Sequence, residues 1–159
     1  MIEIRVARPA DAEMIASLSA EVQAHHAHAL PHLFKPVGPN TFPPAAVREL
    51  LDDAERIVLV ACADSDVVGY ASARIERRAE TPFRHSMASL CVQWMGVSSR
   101  WRRKGVGRAL INALRDAAAT RDVASLTLDV WAFNTDACAF YAAVGFRPLR
   151  QILSLEPDA

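Results

Sequence analysis

Between residues 95 and 110 an apolar stretch, Met95-Gly96-Val97, passes through Ser98-Ser99-Arg100-Trp101 into the basic, glycine-punctuated segment Arg102-Arg103-Lys104-Gly105-Val106-Gly107-Arg108-Ala109-Leu110. The pattern predicts a strand, a tight loop and a helix in direct succession. Glycine lets the backbone take positive φ and come close to a ligand. The first N–H groups of the helix have no internal acceptor, so the junction forms a cradle for an anion. Helix starts favour acidic side chains, and the cations here oppose the dipole until a ligand brings negative charge. A phosphate is the natural guest.

What the loop lacks narrows the ligand. A P-loop needs Gly-Lys-Ser/Thr, whereas Gly107 is followed by Arg108 and Ala109, which excludes the nucleotide-hydrolase reading. A dinucleotide fingerprint needs a third small residue where Leu110 stands, with an acidic residue placed for the ribose. A second block lies downstream. The alternating run Ser125-Leu126-Thr127-Leu128-Asp129-Val130 precedes Asn134-Thr135-Asp136-Ala137-Cys138-Ala139-Phe140-Tyr141-Ala142-Ala143-Val144-Gly145-Phe146. There Asn134 can cap a helix, Ala137, Phe140, Tyr141 and Val144 recur at helical spacing, and Gly145 can take the left-handed C-cap.

Arg102-Arg103-Lys104-Gly105-Val106-Gly107 is similar to the Arg/Gln-x-x-Gly-x-Gly/Ala loop of the GNAT acetyltransferase superfamily, and the second block resembles its Asn-x-x-Ala-x-x-Phe-Tyr-x-x-x-Gly-Phe segment. The resemblance implies an α/β fold with a mixed, mostly antiparallel sheet of six to seven strands, splayed in the middle and flanked by helices. It implies acetyl-coenzyme A as co-substrate, an amine acceptor that is a small molecule or a protein amino group, and direct attack in a ternary complex. On that pattern the pyrophosphate rests on the N–H groups from Arg103 through Lys104, Gly105, Val106 and Gly107 to Arg108, while Arg102, Lys104 and Arg108 add charge. The pantetheine arm pairs with the backbone around Met95 and Val97. Asn134 contacts that arm, and Tyr141 protonates the leaving thiolate. Asn134 also suffices as a plain cap, and Tyr141 as a packed aromatic beside Phe140 and Phe146.

The catalytic base does not carry over. Where many members of the superfamily place a glutamate on the strand before the loop, Leu90-Cys91-Val92-Gln93-Trp94-Met95 offers Gln93 and no carboxylate. Glu76, Glu80, His85, the early histidines and Asp129 are the alternatives, with Asp129 on the face opposite Leu126, Leu128 and Val130 by alternation. The missing glutamate also leaves room for an inactive coenzyme A-binding module. The cluster His25, His26, His28 and His32 lacks a carboxylate or cysteine set with metal-ligand spacing, and Pro31 interrupts the helix, so no metal is expected.

Composition sets limits on partners. At 159 residues the chain reads as one domain, 1–159, large enough to bury about two-thirds of its unfolded surface. Hydrophobic residues make up 52%, which argues against disorder, and 18 basic against 18 acidic side chains give no global attraction to nucleic acid or membrane. The interleaved Arg100-Trp101-Arg102-Arg103-Lys104 could by itself suit nucleic acid, but the balanced charge weighs against that. Cys62, Cys91 and Cys138 form no Cys-x-x-Cys pair, no run approaches a membrane span, and the N-terminus shows no leader pattern, which together point to the cytoplasm. Family habit points to a homodimer.

Along the chain, strands are expected at Ile2–Val6, Arg56–Ala63, Val67–Arg77, Ser86–Val97, Leu126–Val130 and Arg150–Leu155, the second and third forming a hairpin through Asp64-Ser65-Asp66. Helices are expected after a cap at Asp11, over Ala45–Leu51, Gly105–Ala119 and Thr135–Val144. Specificity is expected from the proline-punctuated region Val22–Pro44, histidines included, and from the loop Glu76–Ser86.

Overall fold

A computed structural model describes residues 1–123 and 125–155. Among the described residues nine strands and α-helices follow one another: β1 (Ile2–Val6), α1 (Ala12–Ala29), α2 (Pro44–Leu51), β2 (Arg56–Ala63), β3 (Asp66–Arg78), β4 (Met87–Val97), α3 (Val106–Ala119), β5 (Ser125–Leu128) and α4 (Thr135–Ala143). The contacts divide the chain into two compact units, Met1–Asp129 and Val130–Ala159.

In the first unit the strands form one sheet in the order β1-β2-β3-β4-β5, antiparallel from β1 to β4 and parallel between β4 and β5. The parallel pair needs a crossover, which α3 supplies. The β2–β3 hairpin turns on Asp64 and Ser65, both at positive φ (49° and 78°), the primed turn that matches strand twist. From Ile57 to Ala63 every residue of β2 is buried, as expected of a central strand covered on both faces.

One face packs against α3. Val106, Leu110, Leu114 and Ala118 recur at four-residue spacing and cluster with Ile57, Leu59, Ala61, Ala71, Ala73, Ile75, Leu90 and Val92. On the other face Ile15 and Leu18 of α1 and Val47 of α2 pack with Val58, Val60, Cys62 and Tyr70. Facing residues alternate along the strands except at two bulges, one at Val68 of β3, where Ala61 pairs with Gly69 and Cys62 with Val67, and one in β4. There Ser72 pairs with Trp94 and Ala73 with Val92, so Gln93 is an extra residue with no partner across. Leu90 and Val92 face α3, and beyond the bulge Met95 and Val97 do so.

Three expectations need correction. The sheet has five strands, not six to seven. Residues 150–155, expected as a final strand, belong to none of the strands among the described residues. Asp11 stands at the N-cap of α1 as expected, but its side chain makes no capping bond there. Its carboxylate is instead taken by two 2.8 Å bonds from Arg5 and a 2.7 Å bond from the Arg8 N–H, which tie β1 to the turn before the helix. The element ends otherwise fall within a residue or two of expectation; β5 ends at Leu128, leaving Asp129 and Val130 beyond it.

In the second unit, α4 begins at Asn134, and the chain turns through Gly145 at φ 104°. No helix among the described residues is long and apolar enough to cross a membrane.

Candidate active site

The expected cradle forms where β4 hands over to α3. Gly105 is the N-cap of α3 at φ 84°, with open space where a side chain would begin, and Arg103 also lies in the left-handed region at φ 63°. Two such residues in one turn bend successive N–H groups towards a common point, the geometry of an anion nest. The first helical bond runs from Ala109 N to Gly105 O at 3.0 Å, and the first turn carries no acidic residue. Arg103, Lys104, Gly105 and Arg108 are exposed, whereas Val106 is 1% exposed and its Cγ1 lies 3.0 Å from where a Cβ on Gly69 would stand. The helix start is thus anchored inward and open outward.

The cations divide their work. Arg102 donates from Nε to the Val97 carbonyl at 3.2 Å and lies 3.9 Å from the Glu21 carboxylate, so it fastens the loop to the end of β4. Lys104 sits 5.0 Å over the Trp101 ring.

Beside the cradle the sheet forks. The parallel ladder between β4 and β5 covers Ser89 to Val92 on β4, and β4 then runs on to Val97. At the fork, on the face away from α3, a cavity of about 260 Å³ is lined by Glu76, Cys91, Val92, Gln93, Trp94 and Asp129. Register brings these groups together. Cys91 pairs with Thr127, placing both on one face, and alternation adds Asp129 to it. Burial pushes the Cys91 thiol up, the Glu76 and Asp129 carboxylates push it further, and a hydrogen bond with Thr127 opposes them. Cys91 therefore remains a neutral thiol and not a nucleophile.

Of the carboxylates and histidines considered from the sequence, Glu76 and Asp129 line this cavity, whereas Glu80, His85 and the early histidines do not. His25, His26 and His28 lie on α1, His26 bonding through Nδ1 to the Val22 carbonyl at 2.8 Å, and His32 follows the helix end. Among the described residues no group of three or more His, Cys, Asp or Glu side chains is arranged for a metal.

One contributor had no sequence signal. Arg56, at the start of β2 with a side chain 7% exposed, donates through Nη1 to Gln93 Oε1 at 2.7 Å and to Ser72 Oγ at 3.1 Å. Its guanidinium lies 5.1 Å over the Trp94 ring, and Trp94 packs on Phe42 at 5.6 Å. Asp53 completes the frame, 3.7 Å from Arg56 Nε and bonded by Arg74 Nε at 3.0 Å. Only strand register shows that residues 56 and 93 meet.

In the second unit Asn134 caps α4, its Oδ1 accepting from the Ala137 N–H at 3.2 Å. Tyr141 packs between Phe140 and Phe146, with ring centres 5.2 Å and 5.6 Å away. Burial pushes its phenol above the usual tyrosine range, with Cys138 acting in the same direction, so the hydroxyl holds its proton at neutral pH.

Comparison with known proteins agrees with this geometry. The acetyltransferase (GNAT) family model matches residues 22–146. An aminoglycoside N(6')-acetyltransferase type 1 of Stenotrophomonas maltophilia is 34% identical over 116 residues, 69% of this chain and 74% of the relative. Among solved structures, a tetramutant of the BH1408 protein of Bacillus halodurans superposes with TM-score 0.93 at 22% identity, covering 98% of this chain and 99% of that one. The aminoglycoside acetyltransferase AAC(6')-Iy, in complex with the bisubstrate analogue CoA-S-monomethyl-acetylneamine, superposes with TM-score 0.77 at 19% identity, covering 100% and 99%.

Proposed function

Because this chain belongs to the GNAT family of acetyltransferases, which move an acetyl group from acetyl-coenzyme A to an amine, we propose that it acetylates a small cationic amine of the aminoglycoside type at the fork between β4 and β5. One observation carries the reading: Glu76 and Asp129, distant in sequence, line one cavity directly beside the strand edge that leads to the anion cradle. Carboxylates there attract an ammonium and can take its proton.

The reaction then follows from the residues. The diphosphate of the co-substrate takes the N–H groups at the start of α3, with Lys104, Arg103 and Arg108 adding charge, and the pantetheine arm lies along β4 from Met95 to Val97. Asp129 or Glu76, directly or through water, removes a proton from the ammonium. The neutral nitrogen attacks the thioester carbonyl, whose developing oxyanion is held by backbone donors near Val97. The nitrogen then loses its second proton to water, collapse breaks the carbon–sulfur bond, and the Tyr141 hydroxyl gives its proton to the thiolate and regains one from solvent. Asn134 contributes to holding the pantetheine arm. No covalent enzyme intermediate is required, which suits the neutral Cys91 thiol.

The family match crosses the boundary between the two units at Asp129, which supports treating residues 1–159 as one acetyltransferase domain. Cysteines 62, 91 and 138 are free thiols, which supports a reducing, cytoplasmic setting. Leu149, Ile152, Leu153 and Leu155, each more than four-fifths exposed, support a homodimer.

Calorimetric titration with acetyl-coenzyme A, with adenosine diphosphate and a short oligonucleotide as controls, is the test. Micromolar binding, about −8 kcal/mol, followed by thiol release with aminoglycosides in an amine panel, is the expected result. Absence of acetyl-coenzyme A binding overturns the reading.

A further inference from the structure

Gln93 occupies the position of a β-bulge, so its side chain answers to no partner across the ladder. It is exposed at the rim of the cavity that holds Glu76 and Asp129. One end of its amide is nevertheless fixed, because Oε1 accepts from Arg56 Nη1 at 2.7 Å. A guanidinium only donates, so the amide cannot turn over: oxygen faces Arg56 and the NH2 group faces away from it. Arg56 is itself immobilised by Ser72 Oγ at 3.1 Å, by Asp53 at 3.7 Å and by the Trp94 ring at 5.1 Å. The Gln93 Nε2 group has no partner among the described residues. A rigid pair of donors is thus set beside two groups that can only accept while ionised.

We propose that Gln93, oriented by Arg56, is a specificity-determining residue that donates to a hydroxyl or ether oxygen next to the reacting nitrogen, so that the acceptor is an oxygen-bearing amine such as an amino sugar. This rests on the acceptor site proposed above, and it deepens that reading by stating which chemical feature beyond the amine is recognised. The carboxylates bind any ammonium and cannot tell an amino sugar from an alkylamine. The amide supplies that difference, because a bare hydrocarbon leaves its donors unsatisfied by the ligand. Arg56 acts through Gln93 and is a positioning residue. Its cation also accounts for the amide at this place, since a carboxylate paired with Arg56 would be held ionised and would present no donor.

The test is calorimetric binding of two matched amines to the coenzyme A-saturated protein, an aminomethyl sugar and cyclohexylmethylamine, with kcat and KM measured in parallel. The expected result is about five- to tenfold tighter binding of the sugar, the worth of one net hydrogen bond. Gln93→Ala and Gln93→Glu should each abolish the preference while leaving affinity for coenzyme A unchanged, and Gln93→Glu, which keeps an acceptor for Arg56, should also keep the melting temperature. Arg56→Lys, which keeps the charge but loses the fork, should reduce the preference with Gln93 still in place. Equal affinity for the two amines in the parent protein, or a preference that survives Gln93→Ala, overturns the assignment and leaves the transferase reading intact. Discrimination in binding without acetyl transfer to either amine has the opposite meaning: Gln93 keeps its role and the proposed reaction fails.

Discussion

The ring of Tyr70 lies so close to Gly96 that a Cβ added at Gly96 would fall 2.9 Å from Tyr70 Cε1, with Val22 Cγ2 at 3.2 Å and the Leu18 carbonyl at 3.4 Å. Tyr70 is 2% exposed and its hydroxyl lies 2.7 Å from Ser19 Oγ, so neither the ring nor the α1 backbone can move aside cheaply. Gly96→Ala should therefore destabilise the protein by about 1–3 kcal/mol. A melting temperature equal to that of the parent would contradict the packing described here.

Asp11 provides a pH prediction. The Arg5 guanidinium, helped by the Arg8 N–H and opposed by burial, holds its carboxyl below the usual range. A depressed carboxyl stabilises the fold above its unfolded value, about 3.9, and this contribution is lost as pH falls through the folded value. Asp11→Asn should cost about 2 kcal/mol near neutrality, and the gap between variant and parent should close in acid below pH of about 4. Thermal melts across that range check it; a gap that stays constant or widens in acid refutes it.

At the cradle, backbone conformation and ligand charge can be separated. Gly105→Asn tolerates the left-handed φ of 84° and adds no charge, so acetyl-coenzyme A affinity should change little. Gly105→Glu places a carboxylate against the diphosphate and should weaken binding by roughly tenfold to a hundredfold. Titration of both variants is decisive, since equal affinities would move the diphosphate elsewhere.

Removing the cavity carboxylates should act on the amine half of the reaction alone. Asp129→Asn and Glu76→Gln are each expected to lower kcat/KM for the acceptor, the one that serves as base by about 10²-fold or more, with KM for acetyl-coenzyme A unchanged. Raising the pH, which supplies neutral amine, should recover part of the loss. Parental rates in both variants would exclude these carboxylates as base.

Tyr141→Phe keeps the aromatic packing against Phe140 and Phe146 and removes the hydroxyl. It should lower kcat about 10²-fold with little change in acetyl-coenzyme A affinity. A kcat equal to the parent's would leave Tyr141 as a packing residue.

Features that depend on local backbone chemistry were legible in the sequence. Gly105 and Gly145 adopt the positive φ their motifs require, Asn134 caps α4, and the Asp64-Ser65 turn closes its hairpin. Features that depend on a distant partner were not. Asp11 has the look of a helix cap, but Arg5 takes its carboxylate. The segment 150–155 has the apolar content of a strand and carries no strand assignment. Glu76 and Asp129 read as separate, weak candidates until the β3–β4–β5 register placed them on one cavity, and Arg56 gave no sign of its link to Gln93 because nothing in a single chain marks residues 56 and 93 as neighbours.

The bulge at Gln93 has a consequence for how such a site can diversify. Because the extra residue has no opposite number, its replacement disturbs no pair in the sheet, and the neighbours on either side keep their own faces. The acceptor cavity therefore contains one position at which side-chain chemistry varies without disturbing the ladder, so long as it offers an acceptor to Arg56, which sets which end of that side chain is presented. A lineage could change the substrates it accepts by single substitutions at this point and leave the structural core unaltered.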